Sequence, residues 1–169
     1  SLQEYEKILG ICGYAWNKLY KAETVKKIRF LKGISLVEDI LFNSDILTQD
    51  IKTVFINKAF THYIQRPRET LGTKYYPDYI DLKKRAIKAD IDILTAWGAD
   101  EKTINAFVSR MLLSVCWKTM SSILKADIPS EEKRKRINNV IADKELFKKI
   151  NGAKTDTIAE KIKKKILLL

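Results

Sequence analysis

The chain predicts a mainly α protein, a helical bundle that carries one short β-hairpin. Apolar residues recur at three- and four-residue spacing in Tyr79, Leu82, Ala86, Ala89, Ile93 and Trp97, and again from Ile104 to Ile123. That is the period of one buried helix face. Residues that stop or cap helices stand between and after these stripes: Gly98, Asp100, Ser130 and Asp143. Period-two spacing is confined to residues 53–65, where Val54, Ile56, Phe60, His62 and Ile64 alternate with polar neighbours around a possible Asn57-Lys58 turn.

The elements follow in order. Residues 2–9 read as a short helix that ends near Gly10. A helical turn is expected over 24–27, and a longer helix over 38–47 with Ile40, Leu41, Ile46 and Leu47 available for burial. The hairpin follows at 53–65. Tyr79 opens the next helix and Gly98 closes it; Asp100 caps a long helix whose stripe includes Phe107, Val108, Met111, Leu112, Val115, Cys116 and Met120. Ser130, after Pro129, caps another helix with Glu131 and Glu132 placed favourably for its dipole. Asp143 and Thr155 cap two last short helices separated by Gly152.

Composition narrows the class. The 169 residues are 46% hydrophobic and 31% charged, which places the chain among globular proteins with a real core. No apolar run approaches the ~20 residues a spanning helix needs, and no signal peptide is legible at the start. Cys12 and Cys116 lack metal-like spacing and fit two core thiols in a reducing cytoplasm. With His62 as the single histidine, a self-contained His-based zinc site is not expected. The net charge is +11, of which residues 125–169 carry +6. Most lysines alternate with acids along helical faces, and aromatics do not interleave with the basic residues as a base-stacking platform requires. Nucleic acid is therefore not expected as a partner.

One ordered set of residues carries chemistry. Trp16-Asn17-Lys18-Leu19-Tyr20 precedes Ile28-Arg29-Phe30, then Glu38-Asp39, then His62-Tyr63 with Arg66, Arg68 and Thr70. The set resembles the second half of the catalytic domain of family 2 glycosyltransferases, the inverting GT-A transferases of bacterial capsule, lipopolysaccharide and teichoic-acid polysaccharide synthesis. The resemblance covers residues 11–72. Transfer with inversion needs a carboxylate to take the acceptor hydroxyl's proton. The resemblance implies Asp39 as that base and Glu38 as its support. It implies Arg66 beside the donor phosphates, with Thr70 where the family usually has Ser. Asn17 and Lys18 are candidates for lining the acceptor or diphosphate side, Arg68 is an extra basic neighbour of Arg66, His62 is a candidate for the donor diphosphate or metal, and Trp16 and Tyr20 are candidates for stacking on an acceptor sugar. Each has a plainer alternative: Lys18 as a solvated residue, His62 as an ordinary hydrogen-bonded histidine, Trp16 and Tyr20 as core.

The domain organisation then reads as residues 1–72, the acceptor-side part of a GT-A domain, and 73–169, a helical C-terminal region. The family's nucleotide-binding α/β half, with its D-x-D motif and its divalent cation (Mg or Mn), is expected to precede residue 1. Asp90-Ile91-Asp92 is a formal D-x-D, but two positions apart on a helix point in different directions and cannot share one cation. Without that half, residues 11–72 cannot complete a doubly wound sheet, so a mostly helical fragment, inactive alone and self-associating, is expected. The expected partners of the whole enzyme are a nucleotide-sugar donor and a glycan or lipid-linked acceptor. A helical accessory module without catalytic ancestry, or a basic nucleic-acid-binding domain, are the alternative classes. The tail adds one more expectation. Ile158, Ile162, Ile166 and Leu169 lie at helical spacing beside Lys161, Lys163, Lys164 and Lys165, so this helix either packs on the bundle or lies on an anionic membrane at the inner face of the cytoplasmic membrane.

Overall fold

A computed structural model describes residues 2–62, 64 and 74–169, and the described residues form eight helices. They are α1 (Leu2–Cys12), α2 (Ala22–Val25), α3 (Glu38–Leu47), α4 (Tyr79–Ala96), α5 (Glu101–Lys125), α6 (Ser130–Ile141), α7 (Lys144–Asn151) and α8 (Ile158–Leu167). None of them is long and apolar enough to cross a membrane. The mainly helical class is as expected, and α3 occupies the predicted span. By packing, the chain forms two compact units: Ser1–Lys74 with Lys84–Ala99, and Tyr75–Lys83 with Asp100–Leu169.

In the first unit, α1, α3 with the preceding Val37, and most of α4 supply the buried residues Leu9, Cys12, Val37, Ile40, Ile46, Leu47, Ile87, Ile93 and Leu94. Polar bonds fix the register between α3 and α4. Ser44 Oγ donates to the Ala89 carbonyl at 3.4 Å, and the Trp97 indole N–H donates to the Leu47 carbonyl at 3.2 Å. Gly98 ends α4 in the left-handed region at φ +76, which glycine adopts without steric cost.

In the second unit, α5 is the central element and packs against α6, α7 and α8. Phe107, Leu112, Leu113, Val115, Cys116 and Ile123 are buried along it, close to the predicted stripe. Asp100 caps α5 through Thr103 N at 2.7 Å, and Asp143 caps α7 through Leu146 N at 3.0 Å, both as expected. Two caps differ from expectation. Ser130 is the first helical residue of α6 rather than its cap; Pro129 stands there, with its fixed φ near −55. Helix α8 is capped by Thr157, not Thr155, because only Thr157 has a glutamate three residues on. Thr157 Oγ1 accepts from Glu160 N while Glu160 Oε2 accepts from Thr157 N, each at 3.1 Å.

Among the described residues the hairpin is absent. Residues 51–62 hold neither helix nor strand, and Tyr63 and residues 65–73 lie outside the described residues. Lys58 N donates to the Ile56 carbonyl at 2.9 Å, so the chain does bend around Asn57, but no ladder follows. The reason is physical: Val54, Ile56, Phe60 and Ile64, the residues of the intended inner face, are all exposed. An isolated two-stranded hairpin without a face to bury is marginal at best.

Two predictions follow from this packing. Leu19, Phe30, Leu31, Phe55 and Phe60 of the first unit are also exposed, so sedimentation equilibrium should show apparent mass rising with concentration; a strict monomer at high concentration would refute self-association. The second concerns Glu160. Burial opposes its charge, but the N–H groups of Thr157 and Asp156 and the Arg110 guanidinium outweigh that and hold its carboxyl below its ordinary value of 4.5. A depressed carboxylate stabilises the fold above its unfolded value and loses that contribution as pH falls below it. Thermal melts should therefore show stability declining below about pH 4.5, with a shallower decline in Glu160→Gln.

Candidate functional site

The site lies where α1 ends and α3 begins, within the first unit. Leu36 and Val37 lead into α3. Leu36 is the sole non-glycine with positive φ among the described residues, at +85, a conformation a branched side chain adopts only under constraint. Glu38 and Asp39 then occupy the first turn of α3, where the dipole favours negative charge.

Asp39 is half-buried, and its Oδ2 accepts a hydrogen bond from the Ala15 N–H at 3.0 Å. Its Oδ1 has no hydrogen-bond partner among the described residues. Glu38 Oε2 is shielded from water and likewise lacks a partner among the described residues. A buried carboxylate oxygen left without a donor is costly, and native structures hold few such groups.

One turn after Asp39, Asn43 is 1% exposed and joins two other segments. Its Nδ2 donates to the Cys12 carbonyl at 2.5 Å, and its Oδ1 accepts from the Tyr20 hydroxyl at 2.6 Å. The Tyr20 ring stands edge-on to Phe42, with centroids 5.8 Å apart, and Phe30 stacks on Phe42 at 4.2 Å. Burial, with Asp39 and Cys12 nearby, pushes the Tyr20 hydroxyl up to about 12.

Lys18 Nζ donates to the Ile11 carbonyl at 2.8 Å, to Asn17 Oδ1 at 2.7 Å and to the Tyr14 carbonyl. Burial lowers its pKa, against the opposing pull of Cys12 and Asp39. Its three donors are thus engaged at the end of α1, where a cation complements the last carbonyls of a helix. Asn17 Nδ2 donates to the same Ile11 carbonyl at 3.1 Å. Trp16 is exposed and lies against Tyr14, with ring centroids 5.5 Å apart.

Trp16, Asn17, Lys18, Glu38 and Asp39 thus fall in one neighbourhood around Ala15. His62 does not join them through any hydrogen bond among the described residues; it is exposed on the irregular segment. Arg66, Arg68 and Thr70 lie outside the described residues. Asn43 and Cys12 are what sequence reasoning missed. Their only signal was a polar residue placed among the apolar positions Ile40, Ile46 and Leu47 of α3.

Among the described residues there is no group of three or more His, Cys, Asp or Glu that could hold a cation. In particular, Asp90 is buried in α4 while Asp92 pairs with Lys88. The described residues do not fit a metal cage. Searches against protein-family models, curated proteins and solved structures find no match for this chain.

The bonds of Asn43 define a prediction. Asn43→Ala should destabilise the protein by about 3 kcal/mol in urea denaturation, since it leaves the Cys12 carbonyl and the Tyr20 hydroxyl unpaired. Tyr20→Phe should cost about 1.5 kcal/mol. Because the folded state raises the Tyr20 hydroxyl from 10.0 to about 12, stability should also fall as pH rises through that window, and less so in Tyr20→Phe.

Proposed function

We propose that this chain is the acceptor-side part of an inverting glycosyltransferase, which moves a sugar from a nucleotide-sugar donor to a glycan or lipid-linked acceptor in bacterial cell-surface polysaccharide synthesis. The observation that carries the reading is the state of Asp39. One oxygen is held by the Ala15 N–H, and the other has no hydrogen-bond partner among the described residues. A general base needs this combination: a fixed orientation and an oxygen within reach of the acceptor hydroxyl. The exposed Trp16 and Tyr14 rings beside Ala15 offer flat apolar surface on which a sugar can lie. The order of residues from Trp16 to Thr70 supports the same reading.

In the proposed reaction the acceptor hydroxyl attacks the anomeric carbon as Asp39 takes its proton. The bond to the nucleoside diphosphate breaks with its electron pair leaving on phosphate. Glu38, adjacent in the first turn of α3, supports the base, and Arg66 meets the departing diphosphate. Lys18 acts by holding the end of α1, through the carbonyls of Ile11 and Tyr14, rather than by touching substrate. The donor nucleotide and a divalent cation, Mg or Mn, belong to an α/β half outside this sequence. The enzyme works in the cytoplasm.

Asp39→Asn tests the reading in the complete transferase. The amide oxygen still accepts from Ala15 N–H, so the fold and donor-nucleotide binding should be kept while turnover falls by roughly two to four orders of magnitude. Arg66→Ala should weaken both binding and turnover. Wild-type rates in Asp39→Asn would show that the base is elsewhere, and an accessory helical module would show no transfer in any form.

A further inference from the structure

Helix α8 is attached to its unit by its polar side. Arg110 of α5 reaches Asp156 at 2.6 Å and Glu160 at 3.3 Å. Lys164 Nζ donates to the carbonyls of Asn151 and Ala153 at 2.7 and 2.8 Å, and Lys163 Nζ lies 5.9 Å from the centre of the Trp117 ring. Leu167 is the one buried residue of the helix. The apolar stripe faces outward instead: Ile158, Ile162 and Ile166 are 77%, 53% and 51% exposed. At about 100° per residue, these three cover an arc of about 80°. Lys161 and Lys165 border that arc on one side, and Lys163 lies beyond Ala159 on the other.

We propose that this outward face of α8 docks on an anionic lipid leaflet, with the isoleucines in the acyl boundary and the lysines at the headgroups. Charge selects this occupant. Of the four lysines in residues 161–165, Lys161 and Lys165 are exposed beside the arc, and the one acid of α8, Glu160, is turned inward to Arg110 and to the cap. An apolar arc bordered by lysines is what an interfacial helix presents, because lysine stems lie along the apolar face while their ammonium groups reach the headgroups. The helix lies in the plane of the interface and does not span.

The test uses the whole chain with vesicles of phosphatidylcholine plus phosphatidylglycerol, and with vesicles of phosphatidylcholine alone, at low salt. Cosedimentation should occur with the anionic vesicles and not with the neutral ones. Lys161→Gln and Lys165→Gln should each weaken it about fivefold, and Ile162→Ser with Ile166→Ser should abolish it. A second readout guards against misfolding of that double variant. Cys12 and Cys116 are buried, so Ile162→Cys can be labelled with an environment-sensitive fluorophore, whose emission should shift to the blue with anionic vesicles only. No binding at low salt, equal binding to neutral vesicles, or binding that survives the double serine change would overturn the proposal. So would loss of self-association in that double variant, which would assign the face to a second copy. No nucleotide sugar enters the experiment, so its outcome stands apart from that of the transfer reading.

Discussion

The buried side chain of Asn43 is the constraint on which the first unit depends. It stands one turn after Asp39 on the same face of α3, and positions four apart on a helix lie one above the other. That face therefore meets the end of α1 twice, through Asn43 on the Cys12 carbonyl and through Asp39 on the Ala15 N–H. Its other bond, to the Tyr20 hydroxyl, draws the 16–20 segment onto α3. Phe42 then receives the Tyr20 and Phe30 rings. An amide suits this position because it donates and accepts at once. An aliphatic side chain of the same volume would leave both neighbours without partners.

The second unit is organised differently. A long amphipathic helix, α5, supplies most of its buried surface, and three shorter helices pack around it through Val140, Leu146, Ile150 and Leu167. Here direction is set by polar contacts at the helix ends. Asp100, Asp143 and Thr157 each hold an N–H of the first turn that would otherwise lack a partner. The second unit takes its shape from apolar stripes terminated by caps, and the first from a polar bridge.

That contrast explains how much was legible in the sequence. The stripes of α4 and α5 are long enough for their period to be unambiguous, and Gly98 and Asp100 mark the boundary between them by chemistry that few other residues supply. The hairpin was misread because alternation in residues 54–64 reports only which residues could share a face; it does not provide a surface for that face to bury. Thr155 and Thr157 both offer a capping hydroxyl, and the reciprocal bond of Glu160 is what places the cap at Thr157. In the candidate site, Glu38 and Asp39 could be placed at a helix start from their neighbours. The role of Asn43 could not, because a buried polar residue takes its meaning from partners far away in sequence. Lys18 shows the same limit, since its three acceptors include carbonyls that any sequence would offer.

Leu36 sets a limit of another kind, on how this region can vary. Its left-handed backbone costs a residue with a β-carbon roughly 1–2 kcal/mol, and it sits two positions before Glu38. Glycine or asparagine would adopt that backbone with less cost, whereas valine, isoleucine or threonine, branched at Cβ, would resist it more. Substitution at position 36 thus acts on the carboxylate pair without touching it: one class of residue relaxes the entry to α3, and the other tends to rotate the helix start and carry Asp39 away from the Ala15 N–H. The tolerance of the site to mutation is governed in part by a residue that has no chemistry of its own.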